Sequence, residues 1–178
     1  MKAIVIYKRH WAIKILLLIG LGFISATACA QIDPTDSIPG DPGAIIVYTV
    51  QNMSFGAFSI GSAGGTVIIS TSGSRSVSGD VVALNLGTPY FQAIFDIDAP
   101  QGAIVSILNG SDVTLNGSNG GSMSMHIGNS DPPSPFVITV PQPVRTQVSI
   151  GGTLTAGSPG ANPPGTYNGT FYITFNLE

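Results

Sequence analysis

The chain has 178 residues, 43% of them hydrophobic and only 8% charged, with a formal net charge of −3. Six Lys and Arg residues against nine acids cannot build the cationic face that a phosphate backbone requires, so no nucleic-acid partner is expected. The single cysteine, Cys29, allows neither an intrachain disulfide nor a cysteine-based zinc site.

In chain order, Met1–Ala30 reads as a secretory signal peptide. Lys2, Lys8, Arg9 and Lys14 form a basic start, Ile15–Ile24 is a ten-residue apolar run, and Ser25–Ala30 (SATACA) is a run of small residues. Ten apolar residues fall short of the roughly 20 that a spanning helix needs, so the mature chain is expected to have no membrane span. Ala28 and Ala30 occupy the small positions before a cut, which places cleavage after Ala30. Lipidation at Cys29 is the lesser alternative, because Ala26 stands where a lipoprotein signal carries a branched apolar residue. Removing 30 of the 178 residues leaves 148, enough for one domain that buries about 68 to 70% of its unfolded surface. Arg75 and Arg145 then face nine acids, a formal charge of −7.

Residues 31–43 (QIDPTDSIPGDPG) hold three prolines and three aspartates and read as an extended leader. From Ala44 to Glu178 short β runs alternate with Gly, Ser, Asn and Pro, the pattern of an antiparallel β-sandwich. Strands are predicted near Ile45–Asn52, Phe55–Ile60, Gly65–Thr71, Val81–Leu86, Tyr90–Asp98, Ala103–Leu108, Asp112–Leu115, Ser122–Ile127, Phe136–Val140, Arg145–Leu154 and Tyr167–Leu177. The last of these alternates Phe171, Ile173, Phe175 and Leu177 with polar residues and Tyr172, so one face should be buried, and it reads as a central strand. Asn109-Gly110 and Asn116-Gly117 are expected to close hairpins.

Met53–Phe58 (MSFGAF), Gly64–Ser70 (GGTVIIS), Gly73–Gly79 (GSRSVSG), the pair within Val113–Gly128 (VTLNG and SMSMHIG), Gly151–Ala156 (GGTLTA) and Pro163–Asn176 follow in that order. Together they resemble the bacterial family termed domain of unknown function 4402. That resemblance implies an exported, immunoglobulin-like all-β domain of the bacterial envelope, and carries no catalytic residues over. A second likeness is to chaperone–usher pilus subunits. Gly165 is fourteenth from the C-terminus and an alternating strand follows it, but Leu177 stands where those subunits have a penultimate tyrosine.

Residues that carry chemistry are sparse. His126, the one histidine of the mature chain, has no nucleophile elbow to serve and reads as a solvent-facing strand residue. Asp96 and Asp98 project to one side of a single strand and are the weak candidates for a calcium site; solvated edge carboxylates are the default. Asp112 and Asn119 read as turn-closing side chains, with metal ligation the alternative.

No catalytic residues, cofactor or enzymatic activity are therefore expected. The leading expectation is a structural, adhesive or pilus-like subunit in the periplasm, on the cell surface or outside the cell. It would pair sheet edges with itself or with another envelope subunit. The alternative is a small carbohydrate- or calcium-binding sandwich module that uses Asp96, Asp98 and exposed Tyr90 or Tyr172. For the uncharged run Ala44–Val50, pairing within its own sheet and donation to a neighbour both stand open.

Overall fold

The computed structural model describes residues 44–178, and residues 2–5 by their backbone. The cut site after Ala30, Cys29, the leader 31–43 and the rest of the predicted signal lie outside the described residues. The strands are β1 (Lys2–Val5), β2 (Ile46–Gln51), β3 (Ser54–Phe55), β4 (Ala57–Ile69), β5 (Arg75–Leu84), β6 (Tyr90–Phe91) and β7 (Ala93–Asp98). They continue with β8 (Ile104–Asn109), β9 (Val113–Gly117), β10 (Ser122–Asp131), β11 (Phe136–Val137), β12 (Thr146–Ala156), β13 (Tyr167–Asn168) and β14 (Thr170–Leu177). No helix occurs among the described residues, and the domain is the expected all-β, sandwich-like one, its strands within residues 44–178 pairing antiparallel.

Two sheets carry the core. The larger runs β13-β9-β10-β12-β4-β5, and β12 also pairs β7, which in turn pairs β2. The length of β12 makes this possible: Thr146–Ile150 face β7 and Gly152–Ala156 face β4 along the same edge. The smaller sheet runs β1-β14-β8-β11, with β1 parallel to β14. A two-stranded pair, β3-β6, stands beside them.

The inner faces follow the alternation in the sequence. Phe171, Ile173 and Phe175 of β14 are buried and Tyr172 is exposed, while Met123, Met125 and Ile127 of β10 are buried and Ser124 and His126 exposed. Phe95 and Ile97 of β7 and Val148 and Ile150 of β12 supply the opposing layer at 0% exposure. At roughly 1.5 to 3 kcal/mol for each large apolar side chain removed from water, this layer is the principal source of stability in a chain without disulfides.

Several expectations are corrected. Asn109-Gly110 closes no hairpin: β8 belongs to the smaller sheet and β9 to the larger, so this turn carries the chain across the core. The Asn109 side chain instead donates to the carbonyl of Gly128 at 3.0 Å, where β10 is bulged. Asn116-Gly117 does lead into the expected hairpin of β9 and β10. The predicted runs at Phe55–Ile60 and Gly65–Thr71 merge, from Ala57 on, into the thirteen-residue β4, whose register against β5 shifts between Ile60 and Gly65. The final strand is divided at Gly169: β13 pairs β9 in the larger sheet and β14 pairs β8 in the smaller. A Cβ at Gly169 would lie 2.9 Å from the Thr114 carbonyl oxygen, so only glycine lets the chain change sheets there. β14 is central only through the four residues of β1; its other neighbour is β8.

Candidate functional site

A groove of about 970 Å³ lies between the β3–β4 segment and the loop that leads to β13. Phe58, Leu84, Leu86 and Phe91 line one side, Pro163 and Tyr167 the other, and Leu115, Met123 and Leu154 the interior. Both walls are fastened by specific polar contacts. Arg75 donates from Nη1 to the carbonyls of Phe55 (3.2 Å) and Ala57 (3.0 Å), and from Nη2 to that of Leu84 (3.2 Å). Its guanidinium also lies 4.4 Å from the centre of the Tyr90 ring. One cation thus ties together the starts of β4 and β6 and the end of β5.

On the opposite wall Asn162 is the buried polar residue, 3% exposed. It accepts from the Gly157 N–H at 2.5 Å and donates to the Ser122 carbonyl at 2.6 Å, which anchors the loop to β10. The Tyr167 hydroxyl donates to the Pro163 carbonyl and Asn119 Nδ2 to that of Pro164, both at 2.7 Å. Asn119 therefore bridges two loops, where a local turn or a metal had been the expectation.

The lining contains no carboxylate, imidazole, guanidinium, amine or thiol. Its polar side chains are the hydroxyls of Ser54, Ser59, Thr88, Thr166 and Tyr167 and the amides of Gln51, Asn52, Asn162 and Asn168; the rest of the lining is apolar or glycine.

The other candidates lie elsewhere. His126 faces solvent as expected, but its Nδ1 sits 2.7 Å from Asp112 Oδ1, a pair in which both side chains are largely exposed. Sequence reasoning took these two residues separately. The signal that joins them is the β9–β10 hairpin, whose register sets Val113 opposite Met125 and so brings the neighbouring Asp112 beside His126.

Asp96 and Asp98 do share one face of β7, as expected from their spacing. They are half-buried and not at an edge, because β7 lies between β2 and β12. Asp98 accepts from Gln142 Nε2 at 2.9 Å. Nearby, Arg145 stacks 3.7 Å from the centre of the Tyr48 ring, opposite Asp96 in the strand register. Among the described residues no cluster of three or more His, Cys, Asp or Glu side chains is placed to hold a metal ion. Tyr90 and Tyr172 are exposed at 41% and 45%, on different sheets.

The open margins of the sheets differ in kind. β11 and β13 offer two residues each, and β5 carries Gly79 and Asp80 at its register shift. β2 pairs β7 within its own sheet, yet Ile46, Tyr48 and Val50 remain 39%, 37% and 54% exposed. β14 has eight residues, Thr170–Leu177, with no charge, no proline and an unbroken register against β8; on its outer side β1 pairs Thr170–Ile173.

No helix among the described residues is long and apolar enough to cross a membrane. No curated protein and no solved structure matches the chain. The family model described as "Domain of unknown function (DUF4402)" matches residues 45–176, nearly the whole all-β domain and about three-quarters of the sequence, so the chain belongs to that family.

Proposed function

We propose that this protein is a non-enzymatic, exported subunit of the cell envelope or its surroundings, structural or adhesive in role, that assembles through its sheet edges. The observation that carries the reading is β2. It is an uncharged, proline-free edge strand with three large apolar side chains on the surface, where solitary domains place lysine, proline or a covering loop. The N-terminal sequence supports export, and the largely apolar groove lining supports a holding role.

Size-exclusion chromatography with light scattering tests this on the exported protein. Oligomers whose population rises with concentration are the expected result. A strict monomer at every accessible concentration overturns self-assembly.

A second reading, a carbohydrate-binding module, is favoured by one feature. The exposed Tyr90 ring is backed by the Arg75 guanidinium, which holds it as a fixed platform of the kind on which a sugar ring stacks. Saturable binding of glycans by a monomer, abolished in Tyr90→Ala, would support that reading against the first.

A further inference from the structure

We propose that the outer edge of β14 is a strand-accepting site that takes an extended, Ala/Ile/Val-rich segment of a partner polypeptide, laid parallel to β14. This rests on the assembly reading above and names the edge, the direction and the chemistry of the occupant.

The first observation is the strand already seated there. Lys2–Val5 pairs in parallel with Thr170–Ile173, placing Ala3 opposite Phe171, Ile4 opposite Tyr172 and Val5 opposite Ile173. Three of its four residues are Ala, Ile and Val. The second observation is the direction of the free backbone groups. The Gly110 N–H donates to the Tyr172 carbonyl and the Glu178 N–H to the Ile104 carbonyl, so the even-numbered residues of β14 turn their backbone toward β8. The N–H and C=O groups of Phe171, Ile173, Phe175 and Leu177 consequently point to the outer edge. Among the described residues β1 pairs β14 as far as Ile173, and β14 itself continues to Leu177, long enough for an occupant of its own eight residues.

The third observation is contrast. β11 and β13 are short, β5 carries Asp80 at its register shift and β2 is irregular between Thr49 and Gln51, and β14 has none of these. Added strands draw affinity from main-chain hydrogen bonds and selectivity from alternating side chains. An edge of uniform register with uncharged Thr170, Tyr172, Thr174 and Asn176 along its outer face suits a segment whose central residues are apolar and β-branched. On the export reading, cleavage after Ala30 takes Lys2–Val5 away, and the same edge is open to the partner strand.

The test uses the exported protein as recovered from the cell, its N-terminus fixed by mass spectrometry, and a synthetic peptide of residues 1–8 (MKAIVIYK). Saturable binding is expected, with new protection from hydrogen exchange at the amides of Phe171, Ile173 and Phe175. Those of Tyr172 and Thr174 should be protected beforehand. Tyr172→Lys should weaken binding at least about tenfold with an unchanged unfolding midpoint, and Tyr172→Thr should retain it.

Failure to bind, in protein whose outward amides exchange freely, overturns the site. If oligomers nonetheless persist in Tyr172→Lys, assembly stands and runs through another edge. Protection of the outward amides that grows with protein concentration, without peptide, overturns the choice of occupant in favour of a second copy. A recovered chain that retains Lys2–Val5 and excludes the peptide shows a self-capped edge and also overturns the proposal. Peptide binding by a strict monomer keeps the site and removes self-assembly.

Discussion

The rings of Phe95 and Phe175 meet between the two sheets, their centroids 5.5 Å apart and their planes tilted by 60°. Phe95 lies on β7 and Phe175 on β14, so one aromatic contact couples the larger sheet to the smaller near the C-terminus. Replacing Phe175 by Ala should cost about 3 to 5 kcal/mol, a large share of the roughly 5 to 15 that holds a whole domain. Tyr172, on the opposite face and 45% exposed, should cost far less on the same replacement. Urea unfolding of the two variants checks this, and equal losses would mean that β14 is buried on both faces.

The Arg75 guanidinium makes three main-chain hydrogen bonds at the groove, and a lysine has neither the planar fork nor the reach to replace them. Arg75→Lys should therefore behave almost as Arg75→Ala. Each lost bond that leaves a part-buried carbonyl unpaired costs about 1 to 3 kcal/mol. Thermal unfolding measures the loss. Amide exchange should rise first around Phe55 and Leu84, and a fully stable Arg75→Lys would show that charge alone sufficed.

Much of this fold was legible because one-sided burial writes itself into alternation. Phe171, Ile173 and Phe175 went inward as their spacing required, and Met123, Met125 and Ile127 did the same in β10. β5 was read too short, because Arg75–Gly79 is mostly exposed on both faces and is held by its pairing with β4. The register holds it, helped by the contact of Thr66 Oγ1 with Ser78 Oγ at 2.7 Å and by the Arg75 bond to the Ala57 carbonyl. The Asn109-Gly110 turn was misread for a related reason. Turn chemistry is local, whereas the choice between continuing in one sheet and crossing to the other depends on distant strands. The groove left no sequence signal at all, since its walls are assembled by Arg75 and Asn162 from segments up to 40 positions apart.

Asn162 is 3% exposed and has its carbonyl oxygen and amide nitrogen both engaged, so Asn162→Ala strands the Gly157 N–H and the Ser122 carbonyl together. A loss of about 1 to 3 kcal/mol is expected. Asn162→Asp keeps the acceptor but cannot donate to Ser122, and should be no better. Chemical denaturation gives the magnitude. Faster proteolysis within residues 157–165 would locate the opening at the loop wall of the groove.

His126 and Asp112 make the opposite case. Their side chains are 69% and 59% exposed, and exposed ion pairs contribute about 0 to 1 kcal/mol. Asp112→Ala and His126→Ala should each shift unfolding by no more than that, and a double-mutant cycle should give a coupling that shrinks as salt is raised. A large, salt-insensitive coupling would assign this pair a role beyond the surface.

Deleting residues 31–50 bears most directly on assembly, because it removes the leader and nearly all of β2. In the structure β2 is paired along β7, from Ile46 opposite Asp98 to Gln51 opposite Ile94, so the first strand belongs to its own sheet. Its hold is shallow. Ile45 is buried at 6% and Val47 packs against the core, whereas Ile46, Tyr48 and Val50 look outward. The truncated domain should consequently remain folded but less stable by about 2 to 5 kcal/mol, the cost of a lost buried aliphatic side chain. It also exposes the edge of β7, where Asp96 and Asp98 sit on one face and resist further pairing by like-charge repulsion. Aggregation of the truncated form should therefore be modest. Oligomers of the intact protein that depend on the β2 edge should vanish in the truncated form, while those built on β14 should survive. Light scattering on the two forms side by side separates these edges, and complete unfolding on truncation would show that β2 contributes far more to the core than its exposure implies.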